Sequence, residues 1–241
     1  VVIKGDQIVK SIRVEGAEPV SIARDHEGFL WVLDGKKETL LKLDGSGIVR
    51  FSIGSSGGKE GQFSDPADVA ISSRGFVLVT DKGNSRVQIF NQSGVFLAKA
   101  GPTSGVKKVL EEPVSVALDS EDNIYVLDAE RHAVVKFSPD GKHLGDFGKE
   151  GKGPGEFRGP RGILVSNGEV FVVDAENNNV QVFDLEGNFL RLFGAAGGET
   201  GFSGPTSIAV KDGTQFFVSD TGNGKIKAIR MLYTPEPPST V

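Results

Sequence analysis

Apolar and polar positions repeat in phase along this chain. Pro19, Pro66, Pro113, Pro160 and Pro205 are spaced 47, 47, 47 and 45 residues apart. Behind each stands a short apolar run, a polar turn, and a second apolar run ending in Asp or close to it: FLWVLD, FVLVTD, NIYVLD, VFVVDA and FFVSDT. A third run then alternates: LLKL, VQIF, VVKF, VQVF and IKAI. Short apolar or alternating runs bounded by turn residues predict strands. The fourth repeat predicts strands A over 161–165, B over 170–173, C over 180–183 and D over 188–193. Strand B is apolar throughout, which suits a strand covered on both faces. Strand C alternates (Val180, Gln181, Val182, Phe183), which suits a strand nearer the outside. The C–D turns carry Gly45, Gly94, Gly141 and Gly187, where positive φ costs little.

Four short strands recurring every 40–50 residues are the signature of a β-propeller. The expected fold is all-β, built from four-stranded antiparallel blades, with five blades favoured and six the alternative. The fifth repeat has no clear strand D. Residues 8–14 (IVKSIRV) resemble 48–53 (IVRFSI), so they are expected to complete the last blade and remove two exposed sheet edges. The expected organisation is one propeller over residues 1–233. Residues 234–241, rich in Pro, read as a linker or tail, and another domain is expected beyond it.

Composition narrows the function classes. A chain of 241 residues can bury a sizeable core, and its 33 Gly and 11 Pro sit largely between the apolar runs, as turn residues do. The net charge of −5 argues against a general nucleic-acid or anionic-membrane surface. With no Cys there is no disulfide, thiolate metal site or Cys nucleophile. No apolar run approaches the length of a membrane helix, and no signal peptide is evident. The absence of Cys and the Pro-rich tail favour an extracytoplasmic bacterial location, periplasmic or secreted, over the cytoplasm.

The stretch Gly155-Glu156-Phe157-Arg158-Gly159-Pro160 followed by VFVVDAENNNVQVFDLEGNFLRLFG resembles the NHL repeat family. So does Gly61-Gln62-Phe63-Ser64-Asp65-Pro66 followed by VLVTDKGNSRVQIF. Phe precedes Pro by three residues at Phe63, Phe157 and Phe202; Leu110 and Gly16 hold that place elsewhere. The first repeat departs from the pattern, with Lys37, Glu38 and Thr39 where the Asn-x-Arg element stands. The resemblance implies a binding platform for proteins, RNA or ligands, with a minority branch of metal-dependent lyases and hydrolases.

The candidate chemistry is sparse. The only histidines, His26, His132 and His143, fall in an A–B turn, a B–C loop and a C–D turn, so they are not expected to converge on one ion. No metal or other cofactor is expected. Asp34, Asp81, Asp128, Asp174 and Asp220 close each strand B; their recurrence favours a fold role, each accepting N–H groups of its own B–C loop. The second residue after each Pro is Ser21, Asp68, Ser115, Gly162 and Ser207. With Arg161 these form a candidate polar channel mouth for a small ligand. No Ser has a His base, so a Ser nucleophile is disfavoured. Charges of the B–C and D–A loops cancel, which disfavours nucleic acid.

The expectation is therefore a non-catalytic scaffold that presents its D–A and B–C loops to a protein partner, as part of a larger protein. The candidate loop-face residues are Lys82, Arg86, Glu130, Arg131, His132, Asn177, Asn178 and Asn179. The alternatives are a small-molecule or saccharide sensor at the channel mouth, or a divergent metal-dependent lyase or hydrolase.

Overall fold

The computed structural model describes residues 2–4, 7–10, 12–101, 108–195 and 201–231. The Pro-rich tail 234–241 lies outside them. Five antiparallel blade sheets follow one another along the chain. Blade 1 comprises Pro19–Arg24, Leu30–Asp34, Thr39–Leu43 and Val49–Ile53. Blade 2 comprises Pro66–Ile71, Val77–Asp81, Arg86–Phe90 and Phe96–Ala100. Blade 3 comprises Pro113–Leu118, Ile124–Asp128, Ala133–Phe137 and His143–Phe147. Blade 4 comprises Pro160–Ser166, Glu169–Asp174, Asn179–Asp184 and Phe189–Phe193. Blade 5 has three strands, Pro205–Lys211, Gln215–Asp220 and Lys225–Arg230. Helix is confined among the described residues to two 3-10 turns, Lys82–Asn84 and Thr221–Asn223.

Among the described residues, the expected pairing of residues 8–14 with the last blade is not seen. Gln7–Lys10 pairs antiparallel with Val2–Lys4, and the sheet of blade 5 contains only its own three strands. The reason is proximity. A hairpin partner two residues away closes at far lower chain-entropy cost than one two hundred residues distant.

Each Pro opens a first strand, where its missing N–H costs nothing. The residue after it is bulged out of register in all five blades, between Pro19 and Ser21, Pro66 and Asp68, Pro113 and Ser115, Pro160 and Gly162, and Pro205 and Ser207. A bulge at a strand end re-aims the following side chain. That side chain belongs to the candidate channel-mouth set.

The second strands of blades 1 to 4 are buried as their uniform apolar character predicts, while that of blade 5 alternates. The third strands of blades 1 to 4 differ from expectation, while Lys225–Arg230 of blade 5 is half-exposed. Arg86–Phe90 is buried at every residue, and the half-exposed alternation falls on the fourth strand. Gln88 and Gln181 alternate in sequence yet are fully buried, because their amides are satisfied inside the fold. Gln88 donates to the Gln62 carbonyl (2.7 Å) and accepts from the Gly61 amide (2.9 Å). Gln181 repeats this with Glu156 and Gly155. At the C–D turn of blade 1 the positive φ falls on Gly47 rather than Gly45; Gly47, not Gly45, is in phase with Gly94 and Gly141.

The chain divides into two compact units, one of residues 1–130 with 135–145 and the other of 131–134 with 146–241. In the first unit, blades 1 and 2 share a core of Trp31, Leu33, Leu40, Phe63, Val69, Val77, Val79 and Phe90. Blades 2 and 3 share Leu78, Ile89, Leu110, Val116, Ile124 and Phe137. In the second unit, Phe171, Val173, Phe202, Phe216 and Val218 pack together. The residues three before Pro (Phe63, Leu110, Phe157, Phe202) are all buried. Each such Phe contributes about 2–3 kcal/mol by leaving water. A Cβ on Gly54 would lie 2.4 Å from the Phe63 ring, so only Gly lets the ring seat there.

Candidate interaction site

The loop end of each blade is built around the Asp that closes its second strand. Asp34, Asp81, Asp128, Asp174 and Asp220 are all fully buried. Each is paired in register with the Pro of its own blade, which brings the B–C loop beside the preceding D–A loop. Every one of these carboxylates accepts an amide from just before that Pro. The donors are Glu18 to Asp34 (3.1 Å), Ser64 to Asp81 (2.7 Å), Glu111 to Asp128 (2.6 Å), Arg158 to Asp174 (2.9 Å) and Ser203 to Asp220 (2.6 Å). The expected bonds from the Asp's own B–C loop are seen at Asp34, from the Lys36 and Lys37 amides. The Asn177 backbone amide does the same at Asp174, so the Asp both folds its own loop and ties it to the preceding one. Burial pushes the Asp174 carboxyl above its ordinary range against these donors. At Asp220 burial acts the same way, but the Ser203 amide, Asn223 and Lys227 outweigh it and hold the carboxyl low.

A left-handed corner recurs four residues after each Asp. Glu38, Ser85, His132, Asn178 and Gly224 all adopt left-handed φ, between 51° and 61°. From this corner three side chains reach the next D–A loop. Glu38 accepts from the Asp65 amide (2.9 Å), Ser85 donates to the Glu111 carbonyl (2.7 Å), and Asn178 accepts from the Gly204 amide (2.7 Å). The residue types differ, so composition does not announce the position; its constant distance from the Asp does.

The candidate loop residues divide by burial. Arg86 is inside the fold, not on its surface. Its Nε donates to Asp81 (2.7 Å) and its Nη atoms to the carbonyls of Gly58, Lys59 and Gln62. Asn177 holds Asp174 (2.6 Å) and the Gly151 carbonyl (2.9 Å), and Asn179 is buried. The Asn run therefore has a fold role that the sequence did not reveal. Lys82 is half-buried between Asp65 (2.7 Å) and Glu112 (3.5 Å), and the Asp65 carboxylate raises its pKa. Arg131 pairs with Asp146 (2.5 Å). The His132 Nδ1 is buried without a hydrogen-bond partner among the described residues. Glu130 is exposed. Exposed with it at the loop ends are Glu18, Lys36, Lys37, Lys59, Glu60 and Glu176. Several neutralise one another, as in Lys36–Glu18 (2.7 Å) and Arg158–Glu176 (3.9 Å).

Of the channel-mouth candidates, Ser21, Asp68 and Ser115 come together in the first unit. Asp68 Oδ1 accepts from Ser21 Oγ (2.6 Å) and the Val69 amide (2.9 Å); Oδ2 accepts from Ser115 Oγ (2.7 Å) and the Val116 amide (3.0 Å). Two donors on each oxygen satisfy a carboxylate. Asp68 is therefore a clasp across the first strands of blades 1, 2 and 3, and burial raises its carboxyl pKa. In the second unit Gly162 packs on the backbone of Thr206 and Ser207, where a Cβ would approach to 3.0 Å. Arg161 and Ser207 are exposed.

Among the described residues no group of three His, Cys, Asp or Glu gathers as metal ligands. His26 Nε2 lies 3.2 Å from the Ser72 carbonyl, and His143 meets Phe137 edge-on.

Residues 63–90 match the NHL repeat model. The chain is a β-propeller in which this one stretch is similar to the NHL repeat. Residues 107–196 match a second model, DUF5128, described as a 6-bladed beta-propeller. No curated protein matches this propeller. Among solved structures it is similar to a catalytically inactive virginiamycin B lyase from Staphylococcus aureus with quinupristin, at 15% identity, over 90% of this chain and 68% of that one, with a TM-score of 0.68. It is similar to a protein of unknown function from Bacteroides caccae at 16% identity, over 90% and 79% of the two chains, with a TM-score of 0.66. A streptogramin B lyase structure matches at 13% identity, over 92% and 86%, with a TM-score of 0.57. At these identities the likeness is one of fold.

Proposed function

We propose that the propeller is a non-catalytic interaction module that docks a protein partner on its B–C and D–A loops. One observation carries this reading: in every blade a buried Asp locks the two loops together, while the loop tips stay exposed. Loops ordered in advance lose little entropy on binding, so contact energy goes into affinity. The exposed charges at the tips largely pair with one another. That favours a polar partner of low net charge over a polyanion.

The test is affinity capture from the native source with the wild-type propeller and a Lys36→Ala, Glu130→Ala, Glu176→Ala triple variant. These side chains are exposed, so the fold is expected to survive. A protein held by the wild type and lost by the variant is the expected result. Equal retention by both, or none by either, contradicts the loop-face reading. The fold shared with the Staphylococcus lyase motivates a second reading, a divergent lyase. Turnover of quinupristin that chelator abolishes is the outcome that favours it.

A further inference from the structure

Blades 1 and 2 fill the same space in different ways at the end opposite their B–C loops. In blade 1, Lys42 is buried with its ammonium 4.4 Å from the Phe29 ring centre, 5.0 Å from Trp31 and 6.0 Å from Phe51. It also approaches Asp25 (3.5 Å) and the Gln92 carbonyl of blade 2 (3.4 Å). Trp31 Nε1 donates to the same Asp25 (3.0 Å). Lys42 and Trp31 are both buried there. Forty-seven residues on, Phe29 recurs as Phe76, but Asp25, Trp31, Lys42 and Phe51 become Ser72, Leu78, Ile89 and Ala98. The gap between blades 2 and 3 stays open as a cleft of about 360 Å³, with Phe76, Ile89, Leu97, Ala98 and Pro139 on its walls and Arg74 and Asp140 at its rim. That volume lies at the lower end of the range for small-ligand sites.

The rim is held in place. Asp122, buried and in the left-handed region, accepts from the Ser73 amide (2.7 Å), Ser73 Oγ (2.9 Å) and Arg74 Nε (3.0 Å). This sets the guanidinium 5.1 Å from the Phe76 ring centre. One edge of the guanidinium is used. Nη1 and Nη2 have no hydrogen-bond partner among the described residues, and two such N–H groups suit a carboxylate. Asp140 accepts from Ser138 Oγ, which holds its carboxyl below the ordinary range, so the open donor group at the rim is the Arg74 Nη pair.

We propose that this cleft binds a small amphiphilic carboxylate, its ring or branched chain lying on Phe76 and Leu97 and its carboxylate on the Arg74 Nη atoms. The site is separate from the loop face and independent of the scaffold reading.

The experiment titrates 3-phenylpropionate into the ¹⁵N-labelled protein and follows amide shifts. The expected result is saturable shifts at Arg74, Phe76, Leu97 and Asp140, with millimolar or tighter affinity. Arg74→Gln should weaken binding by about tenfold, the cost of one charge-assisted pair. Ala98→Phe restores the blade 1 ring and should abolish the shifts; an unchanged amide spectrum elsewhere certifies its fold. The uncharged 3-phenylpropanamide should bind the wild type about as weakly as 3-phenylpropionate binds Arg74→Gln. No saturable shift with the wild type overturns the proposal. So does equal affinity for the acid and the amide, or undiminished binding by Arg74→Gln.

Discussion

Blades 1 and 2 have the same strands in the same register and hold themselves together differently. At the loop end of blade 2, Asp81 is met by Asn84, Arg86 and Gln88, and Arg86 carries the hold on to three carbonyls of the long 55–65 loop. Blade 1 has Lys37, Thr39 and Leu41 at those places. Its Asp34 Oδ2 and Thr39 Oγ1 are buried without hydrogen-bond partners among the described residues. At the opposite end the order reverses: blade 1 has the Trp31–Asp25–Lys42 cluster, and blade 2 has an open cleft. The lesson is that the repeat specifies a backbone path, while each blade distributes its polar anchors separately. Where an anchor is missing, a blade is either weaker or able to accept something else.

The contrast can be broken most strongly at Arg86. Arg86→Ala leaves Asp81 buried with part of its compensation gone and three carbonyls unserved. Such a change costs about 3–5 kcal/mol, read from the urea midpoint. Trp31→Leu gives blade 1 the blade 2 residue and deprives Asp25 of a donor; the loss is about 2–4 kcal/mol by the same measurement. Asp68→Asn offers one acceptor oxygen to four donors and costs about 2 kcal/mol. Its pH dependence carries a sign. Burial sets the folded pKa of Asp68 above its ordinary value near 3.8, so the cost of the ionised form is fully present above the folded pKa and vanishes below the ordinary one. The wild type therefore gains stability relative to Asp68→Asn as pH falls through that window. Urea midpoints for the pair at pH 7 and pH 4 should move apart, and a narrowing gap would count against a raised pKa.

Smaller effects sharpen the loop comparison. Asn178→Ala removes the bond to Gly204 and places Ala in a left-handed corner, a loss of about 1–2 kcal/mol. Asn178→Gly should recover the conformational part, which a side-by-side thermal melt will show. Lys36→Ala breaks only an exposed pair with Glu18 and should leave the melting temperature unchanged.

Much of the fold was legible because Pro, the apolar runs and Asp recur at a nearly fixed period. The buried third strands were not, since Gln88 and Gln181 look like surface residues until the carbonyls and amides they meet are placed. Those partners lie some 25 residues earlier, across a loop of unpredictable path. The left-handed corners escaped notice because Glu38, Ser85, His132, Asn178 and Gly224 share a backbone conformation and no chemistry. Arg86 and Asn178 looked like binding residues for the same reason: polar side chains in loops read as exposed until their buried acceptors and donors appear. The Ser21, Asp68 and Ser115 set was visible as one register position. Its role as a clasp depended on the bulge that turns the three side chains together.

The central claim is that the loop end is ordered before any partner arrives. Native-state amide exchange at Ser64, Arg158 and Ser203 tests it most directly, since these N–H groups lie in loops yet donate to buried Asp81, Asp174 and Asp220. A preformed platform predicts protection at these three amides comparable to the neighbouring second strands. Exchange at the rate of an open loop would contradict it.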